Sequence, residues 1–317
     1  MAITAAMVKE LRESTGAGMM ECKKALTETN GDMDQAVEYL RKNGIMKAEK
    51  KASRIAAEGL TRVAVKDDQT AAVVEVNSET DFVAQNEKFQ SFVEAVATQA
   101  VNSDAKDLDS FMAEKWNLDE SKTVNEALIE ITAVISEKLS IRRFEKVVAS
   151  NGIVVPYTHG GGRISVIVEA ETDVVNDEIK DAVKNVAMQV AALNPKFVSS
   201  EDISEEYRNH EKEILLAQAM KENDELPEGK RKPQEIIEKM LIGRLNKEFK
   251  EICLNEQVYV KAEDGKQSVS QYLAQVGKAN NANLKIKRFV RFETGEGIEK
   301  KNENFAEEVA KQAGGLN

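Results

Sequence analysis

Few side chains of this sequence have the types and the spacing that covalent catalysis or metal binding requires. The chain of 317 residues contains two histidines, His159 and His210, and neither belongs to a recognised metal-ligand motif. It contains no nucleophile elbow, Walker loop or dinucleotide-binding fingerprint. The triple glycine at 160–162 lacks a following Lys-Ser/Thr, so it predicts a flexible hairpin tip and not a phosphate loop. An enzyme is therefore disfavoured, and no cofactor is expected.

The segment Glu79-Thr80-Asp81-Phe82-Val83-Ala84 is more informative, because a shorter echo, Glu171-Thr172-Asp173-Val174, follows about ninety residues later. Each copy follows an alternating apolar strand and precedes a helical pattern, which predicts an internal duplication. The copies differ after Glu-Thr-Asp, with Phe82 in one and Val174 in the other. The shared fold therefore does not require an aromatic ring there, and Phe82 is a candidate functional residue. The alternative is that Phe82 belongs to the core while Asp81 caps the next helix.

Composition limits the kinds of partner. The sequence has 44 Lys and Arg against 55 Asp and Glu, a net charge of -11, which repels phosphate backbones and disfavours direct nucleic-acid binding. Cys22 and Cys253 are far apart and are expected to be free thiols. The N-terminus resembles no signal or transit peptide, and no apolar run is long enough to span a bilayer. We therefore expect a cytoplasmic protein without a membrane partner.

The first fifty residues predict a compact three-helix unit. Helices are expected at about 5–14 and 19–29, and Asp32 begins a third whose apolar stripe, including Val37, ends at Gly44. The charged stretch 47–52 predicts a separate linker helix. Met19 and Met20 are neighbours, and neighbouring helical side chains point about 100° apart, so they cannot both face one small core. We expect one or both to be exposed; the alternative is that they fill irregular gaps in the core.

From Glu58 onward the apolar period changes from helical to alternating. Residues 61–65 and 72–76 predict one β-hairpin, and residues 153–155 and 164–170 predict a second. A late alternating run at 284–293 predicts a strand that completes the second sheet. Interleaved strands and helices place the chain in the α+β class.

A helical insertion interrupts the second copy. It carries two narrow apolar stripes joined by a short polar loop: Ile203, Tyr207, Ile214 and Leu215 on the first, and Ile236, Ile237, Met240, Leu241 and Leu245 on the second. This pattern predicts an antiparallel helical hairpin that projects from the core. A short helix with an apolar face at Phe305, Ala306 and Val309 is expected at the end of the chain.

Two long motifs resemble a known family. The segments 9–12 and 15–26 resemble the N-terminal signature of the bacterial elongation factor Ts family, and 80–84 resembles its core signature. The resemblance continues through 157–160, the helical insertion and 292–300. It implies an N-terminal domain similar to ubiquitin-associated (UBA) domains at 1–54 and a duplicated α+β core at 55–140 and 141–297. It also implies a coiled-coil hairpin inserted at 198–248 and a C-terminal helical module at 298–317. The stretches 102–124 and 222–232 are longer than is typical of the family.

The resemblance also implies a function. Members of the family are guanine nucleotide exchange factors: they bind the GTPase elongation factor Tu in its GDP form, displace Mg²⁺ and loosen the phosphate-binding site, so that GDP leaves and GTP rebinds. It assigns Mg²⁺ displacement to Thr80, Asp81, Phe82 and Val83. It assigns contacts with the GTPase to Arg12, Met19, Met20, Lys23 and His159, the last with a more distant domain. The residues alone leave open a chaperone or adaptor that binds a client through the three-helix unit, and an enzyme with an unrecognised site.

Overall fold

The computed structural model describes residues 3–299. The first unit consists of α1 (Ala5–Thr15), α2 (Met19–Glu28) and α3 (Met33–Lys51), so the three predicted N-terminal helices are present. Thr4 caps α1 by accepting a hydrogen bond from the N–H of Met7, and Gly16, with φ of 67°, ends it in the left-handed conformation. The helices enclose a small core of fully or nearly buried side chains: Val8, Leu11, Cys22, Ala25, Leu26 and Ala36.

The third helix is longer than the sequence predicts. It runs through Gly44 to Lys51 without a break, so the expected stop at Gly44 and the separate linker helix are both wrong. A Cβ atom at Gly44 would lie 3.6 Å from Cβ of Ala133, on the core helix α7 (Val124–Ile135). Gly44 therefore lies within the helix, where α3 packs against α7, and does not mark a helix end. Val37, expected on the apolar stripe of α3, is 37% exposed.

The first half of the core is a three-stranded antiparallel sheet with helices on one face. Its strands, in the order β1-β2-β5, are β1 (Glu58–Asp67), β2 (Thr70–Ser78) and β5 (Ser140–Val148). After β2 come the short helix α4 (Asp81–Ala84) and the long helix α5 (Glu87–Asn102). Then follow α6 (Leu108–Ala113), a small ribbon of β3 (Lys115–Trp116) and β4 (Asp119–Thr123), and α7.

The second half repeats this plan. Its sheet has the order β6-β7-β8, with β6 (Ile153–His159), β7 (Ile164–Thr172) and β8 (Leu284–Glu293). The helix α8 (Asp177–Leu193) covers it as α5 covers the first sheet, and α11 (Val269–Ala279) precedes the third strand as α7 does. The apolar stripes predicted for α5 and α8 are buried, including Phe89 and Ile179. The predicted mixed α and β class is therefore confirmed.

The two sheets pack face to face, and the helices lie on the outer faces. Apolar side chains of both sheets form a central layer: Ala71, Val73, Val147, Ala149, Val154, Ile167, Val290 and Phe292. At one edge, the backbone N–H and the hydroxyl of Thr61 donate to the carbonyl of Gly162 at 2.7 and 2.8 Å. The halves of the core are thus joined by apolar packing and by buried polar contacts.

The last strand does not keep one apolar face along its length. A bulge shifts its pairing with β7 between Glu169 and Ala170. Before the bulge, Ile286 packs beneath α8, whereas after it Val290 and Phe292 face the other sheet. Simple alternation over 284–293 is therefore wrong, because the extra residue of a bulge moves the following side chains to the opposite face.

The insertion is a pair of helices, α9 (Glu205–Asp224) and α10 (Gln234–Ile252), joined by a polar loop. The helices pack antiparallel, with Arg244 on α10 bonded to Glu222 on α9 at 3.1 Å. Of the apolar residues on α10, Ile237, Leu241 and Phe249 are buried, while Ile236 and Met240 are exposed. Ile203 precedes α9 and packs at the base of the pair with Phe249.

Three other expectations concern thiols, membranes and the tail. Cys22 and Cys253 are free and buried, as predicted, and burial raises the pKa of the Cys253 thiol to about 11. Within residues 3–299, no helix is long and apolar enough to cross a membrane. The expected C-terminal helix with Phe305, Ala306 and Val309 lies outside the described residues.

Candidate partner-binding site

The short helix α4 presents an aromatic ring to solvent. Phe82 is 82% exposed, while the next residue, Val83, is only 8% exposed and packs in the core of the first half. The alternative placement of Phe82 in the core is therefore wrong. Asp81 does not cap the following helix either, because the side chain of Asn86 accepts the hydrogen bonds at the start of α5. Asp81 and Phe82 are thus exposed neighbours.

Thr80 joins this exposed pair to the rest of the core. Its backbone N–H donates to Oε2 of Glu137 at 3.0 Å, and its hydroxyl donates to Oε1 at 2.7 Å. Glu137 lies just after the end of α7, in the loop that leads to β5. The four-residue helix is therefore attached at its beginning by a carboxylate and at its end by the buried side chain of Val83.

A second carboxylate ties the same loop to the N-terminal unit. Glu79 accepts a hydrogen bond from the backbone N–H of Lys138 and pairs with Arg54 at 3.1 Å. The ammonium group of Lys138 donates to the carbonyls of Ala52 and Arg54, at 2.7 Å each. The chain that leaves α3 is therefore fixed beside the segment that carries Phe82.

The strand pairing aligns the two copies differently from the repeated Glu-Thr-Asp motif. In each half, the pairing between the central strand and the third strand shifts directly after a buried glutamate of the central strand, Glu75 in β2 and Glu169 in β7. Counted from these residues, Ser78 is equivalent to Thr172, and both hydroxyls donate to the carbonyl two residues further on. The equivalence of Thr80 with Thr172, suggested by the repeated motif, is therefore wrong by two residues.

Phe82 consequently has no counterpart in the second copy, and its comparison with Val174 is wrong. Asn86 caps α5 and Asn176 caps α8 with the same side-chain hydrogen bond. Seven residues separate the end of β2 from Asn86, but three separate the end of β7 from Asn176. The first copy thus has four extra residues (7 − 3), as many as α4 contains. The duplicated fold does not need them, which supports a functional role.

The N-terminal unit exposes two further apolar side chains. Met19 is 59% exposed and Met20 is 73% exposed, so both lie on the surface and neither fills the core. Arg12 and Lys23 are exposed on the same unit. A Cβ atom at Gly16, in the turn before α2, would lie 3.5 Å from Cγ2 of Val134 on α7. It would lie 3.9 Å from Nζ of Lys88 on α5, so this turn is near the region of α4.

His159 lies apart from these residues, at the end of β6 in the second half of the core. It is exposed, and its Nδ1 is 3.0 Å from the hydroxyl of Tyr157, with which it shares a hydrogen bond. The structure therefore offers three separate exposed groups: the pair on α4, the methionines on α2 and the ring of His159. Sequence reasoning missed Glu79 and Glu137 as supports, since their partners lie 59 and 57 residues away.

Among the side chains that the structure describes, those of residues 3–46 and 50–299, no group of three or more His, Cys, Asp and Glu could hold a metal ion. The fully buried carboxylate of Glu75 is neutralised by Arg142 and Arg143, at 2.9 and 2.6 Å, and so has a structural explanation. What the surface presents is apolar side chains on short, anchored elements. Apolar side chains exposed in this way are typical of a surface that binds another protein.

Comparison with known proteins identifies the family. The family described as "Elongation factor TS" matches residues 79–296. The chain is 53% identical over 311 residues to Elongation factor Ts of Clostridioides difficile (strain 630), covering 98% of both chains. It is 50% identical over 313 residues to Elongation factor Ts of Clostridium perfringens (strain SM101), covering 98% of this chain and 99% of the relative. The chain belongs to the elongation factor Ts family and is a translation elongation factor.

Proposed function

We propose that this protein binds elongation factor Tu in its GDP-bound form and promotes release of GDP, after which GTP binds. The exposure of Phe82 on a helix that the second copy lacks is the observation that carries this proposal. A large apolar ring held outside the core contributes little to folding, and insertion between elements of a partner would bury it. Family membership supports the choice of partner.

The proposed activity needs no covalent chemistry. If the factor binds nucleotide-free GTPase more tightly than GDP-bound GTPase, linkage requires that it weaken GDP binding by the same ratio. Each tenfold change corresponds to about 1.4 kcal/mol of differential contact. Burial of a phenylalanine side chain is worth about 1.5–3 kcal/mol, so the ring of Phe82 alone could supply one to two such factors. Arg12, Met19, Met20, Lys23 and His159 would contribute contacts that hold the two proteins together.

Displacement of the partner's Mg²⁺ is the proposed route by which Phe82 and Asp81 act. Mg²⁺ requires near-ideal octahedral geometry at about 2.0–2.1 Å, so a small movement of its protein ligands weakens it strongly. Phe82 would cause that movement by inserting into the partner, and the exposed carboxylate of Asp81 would enter the same region beside the ring. Thr80 and Val83 would act indirectly, since one is bonded to Glu137 and the other is buried in the core.

A chelator tests this route. We expect the factor to stimulate GDP release from elongation factor Tu by a clearly smaller ratio in excess chelator than at millimolar Mg²⁺, because a metal that is already absent cannot be displaced. Release of a fluorescent GDP analogue, measured with and without the factor in both solutions, gives the two ratios. Equal ratios would leave exchange intact but would remove metal displacement as its main route.

The methionines of α2 give a separate prediction. Replacing Met19 and Met20 together with alanine should raise the factor concentration needed for half-maximal exchange about tenfold and leave the rate at saturation nearly unchanged, because contact area away from the metal contributes affinity. Exchange rates measured over a concentration series separate the two parameters. Thr27→Ala, at an exposed position on the same helix, is a control. A half-maximal concentration equal to that of the wild type would exclude these side chains from the interface.

The finer organisation is part of the same proposal. We assign residues 1–54 to a UBA-like domain, 55–140 and 141–297 to the two core subdomains, and 298–317 to a C-terminal helical module. The helical insertion, predicted at 198–248, would form a coiled-coil hairpin, and its helices span 205–252. The protein would act in the cytoplasm without direct nucleic-acid binding, in keeping with its net charge of -11.

A further inference from the structure

We infer that Glu137 and Thr80 are positioning residues that hold α4 in the orientation in which Phe82 engages the partner. This inference rests on the proposed exchange function and adds to it a residue that touches neither nucleotide nor metal. Glu137 is partly buried and accepts both hydrogen bonds from one residue, Thr80, at 3.0 and 2.7 Å. It thereby fixes the backbone and the side chain at the start of α4 together.

The short helix needs such support because it cannot be stable alone. Four residues form about one helical turn, and an isolated helix of fewer than about 12 residues is marginal in water. Val83 supplies the buried side chain of α4, while Phe82 is exposed and contributes almost nothing to folding. Hydrogen bonds to an ionised carboxylate are stronger than neutral ones, so the bonds from Thr80 to Glu137 suit this task.

The second copy shows which hydrogen bonds belong to the common fold. Glu79 accepts the N–H of Lys138, and the equivalent Asp173 accepts the N–H of Asn283. The hydroxyl of Ser78 likewise has the same bond as its counterpart. The carboxylate bonds join the end of the central strand to the loop before the third strand in both halves, and the hydroxyl bonds close the turn that follows the central strand. They are therefore part of the shared scaffold.

The bonds between Thr80 and Glu137 are not part of that scaffold. By the same strand pairing, Thr80 corresponds to Val174, which has no hydroxyl, and Glu137 corresponds to Ala282, which has no carboxylate. The additional pair occurs in the half that also has the four extra residues of α4. The pair lies beside Phe82 in the first half. The second half lacks both the aromatic ring and the side chains that would form the pair. We therefore connect the pair with the ring.

Pre-organisation explains how the pair affects exchange. A loosely held α4 would have to be ordered when Phe82 inserts, and the free energy of ordering would reduce the effect of insertion. Removing the carboxylate should therefore lower the rate at saturating factor more than it changes the initial binding by the N-terminal unit. The expected result is a change in the maximal rate and not in the half-maximal concentration.

Four variants test the inference by exchange of a fluorescent GDP analogue on elongation factor Tu. Glu137→Ala and Thr80→Val should each lower the rate at saturation about three- to tenfold, as expected for loss of charge-assisted hydrogen bonds. Thr80→Ser retains the hydroxyl and should keep most of the activity. Asp68→Ala is the matched control. It removes a carboxylate that accepts two bonds from Lys180, at the opposite end of β2 from α4, and should leave exchange unchanged.

A double-mutant cycle separates positioning from general stability. In a Phe82→Ala background, Glu137→Ala should have almost no further effect on exchange, because it acts through the ring that has been removed. Amide hydrogen exchange of the peptide 79–84 should be faster in Glu137→Ala, while α5 remains protected. The positioning role would be overturned if the losses of GDP exchange were additive in the double variant, or if the single variants Glu137→Ala and Thr80→Val promoted GDP exchange at the wild-type rate. A different outcome, in which Phe82→Ala itself promotes GDP exchange at the wild-type rate, would contradict the proposed function.

Discussion

Phe82→Ala should lower the rate of GDP release at saturating factor by about tenfold or more, equivalent to at least about 1.4 kcal/mol, while the protein stays folded. The reason is that, within α4, Val83 packs in the core whereas Phe82 is exposed to a partner. Phe82 is 82% exposed, so its removal should change the free energy of unfolding by no more than about 0.5 kcal/mol. The ring would be buried only in the complex. Thermal unfolding and exchange rates should be measured on the same preparation.

Two control variants make this prediction specific. Leu118→Ala removes another exposed apolar side chain, 73% exposed in the turn between β3 and β4, and should leave exchange unchanged. Phe92→Ala removes a buried ring that packs against Trp116 and should destabilise the fold by about 3–5 kcal/mol. If Phe82→Ala lowers stability as Phe92→Ala does, the ring belongs to the fold. If Phe82→Ala lowers the rate of GDP exchange no more than Leu118→Ala does, Phe82 has no specific role in exchange.

A large effect on stability is also expected at Glu75, whose carboxylate is fully buried between the sheets. Its oxygens accept hydrogen bonds from the side chains of Asn77, Arg142 and Arg143 and from the backbone N–H of Gly295. Glu75→Ala would leave two arginines and a buried N–H without this partner. We expect a loss of about 3 kcal/mol, the lower end for breaking a buried ion pair, because both arginines are partly exposed.

Urea unfolding followed by the fluorescence of Trp116 would measure this loss, since the single tryptophan is buried in the first half of the core. Glu75→Gln retains the shape of the side chain and should lose less than Glu75→Ala. A wild-type unfolding midpoint for Glu75→Ala would show that the buried carboxylate does not stabilise the fold. For Glu75→Ala, the rate of GDP exchange should fall in proportion to the fraction of the factor that remains folded.

The effect of Glu75 should also depend on pH. Burial acts to raise the pKa of its carboxyl, but the hydrogen bonds from Gly295, Asn77 and Arg142 and the charge of Arg143 outweigh it, so the pKa lies below the ordinary 4.5. The stabilisation is therefore complete above the unfolded-state pKa and is lost as pH falls through the folded-state pKa. The stability difference between wild type and Glu75→Gln should shrink below pH 4.5. A difference independent of pH would contradict this ionisation.

Much of the fold could be predicted from periodicity. The hairpins and the helices α1, α2, α5 and α8 have clean apolar patterns, and the structure contains them. The strand β5 is not predicted, because the adjacent Arg142 and Arg143 at its bulge interrupt the apolar alternation and are typical of a polar loop. In the structure both arginines contact the buried Glu75. The helices α7 and α11 were also missed. Their capping boxes, Thr123 with Glu126 and Ser268 with Gln271, were available as signals.

The candidate site was predictable only in part. Exposure of Phe82 was inferred from an internal comparison whose conclusion holds although its alignment was wrong by two residues. The strand register that corrects the alignment depends on bulges, which a repeated Glu-Thr-Asp does not reveal. Glu137 could not be found from sequence, because nothing local indicates that a glutamate 57 residues after Thr80 will bond to it. Tertiary contacts of this kind follow from topology and not from periodicity.

The measurement that tests the central claim most directly is GDP release from elongation factor Tu loaded with a fluorescent GDP analogue, with this protein present at about one-hundredth of the GTPase concentration and excess GTP. The account predicts that each molecule of factor acts on many molecules of GTPase, so that release is accelerated and goes to completion. A client-binding adaptor would bind the GTPase, if at all, without accelerating release. Release at the spontaneous rate, or acceleration limited to the stoichiometric fraction, would contradict the proposed function.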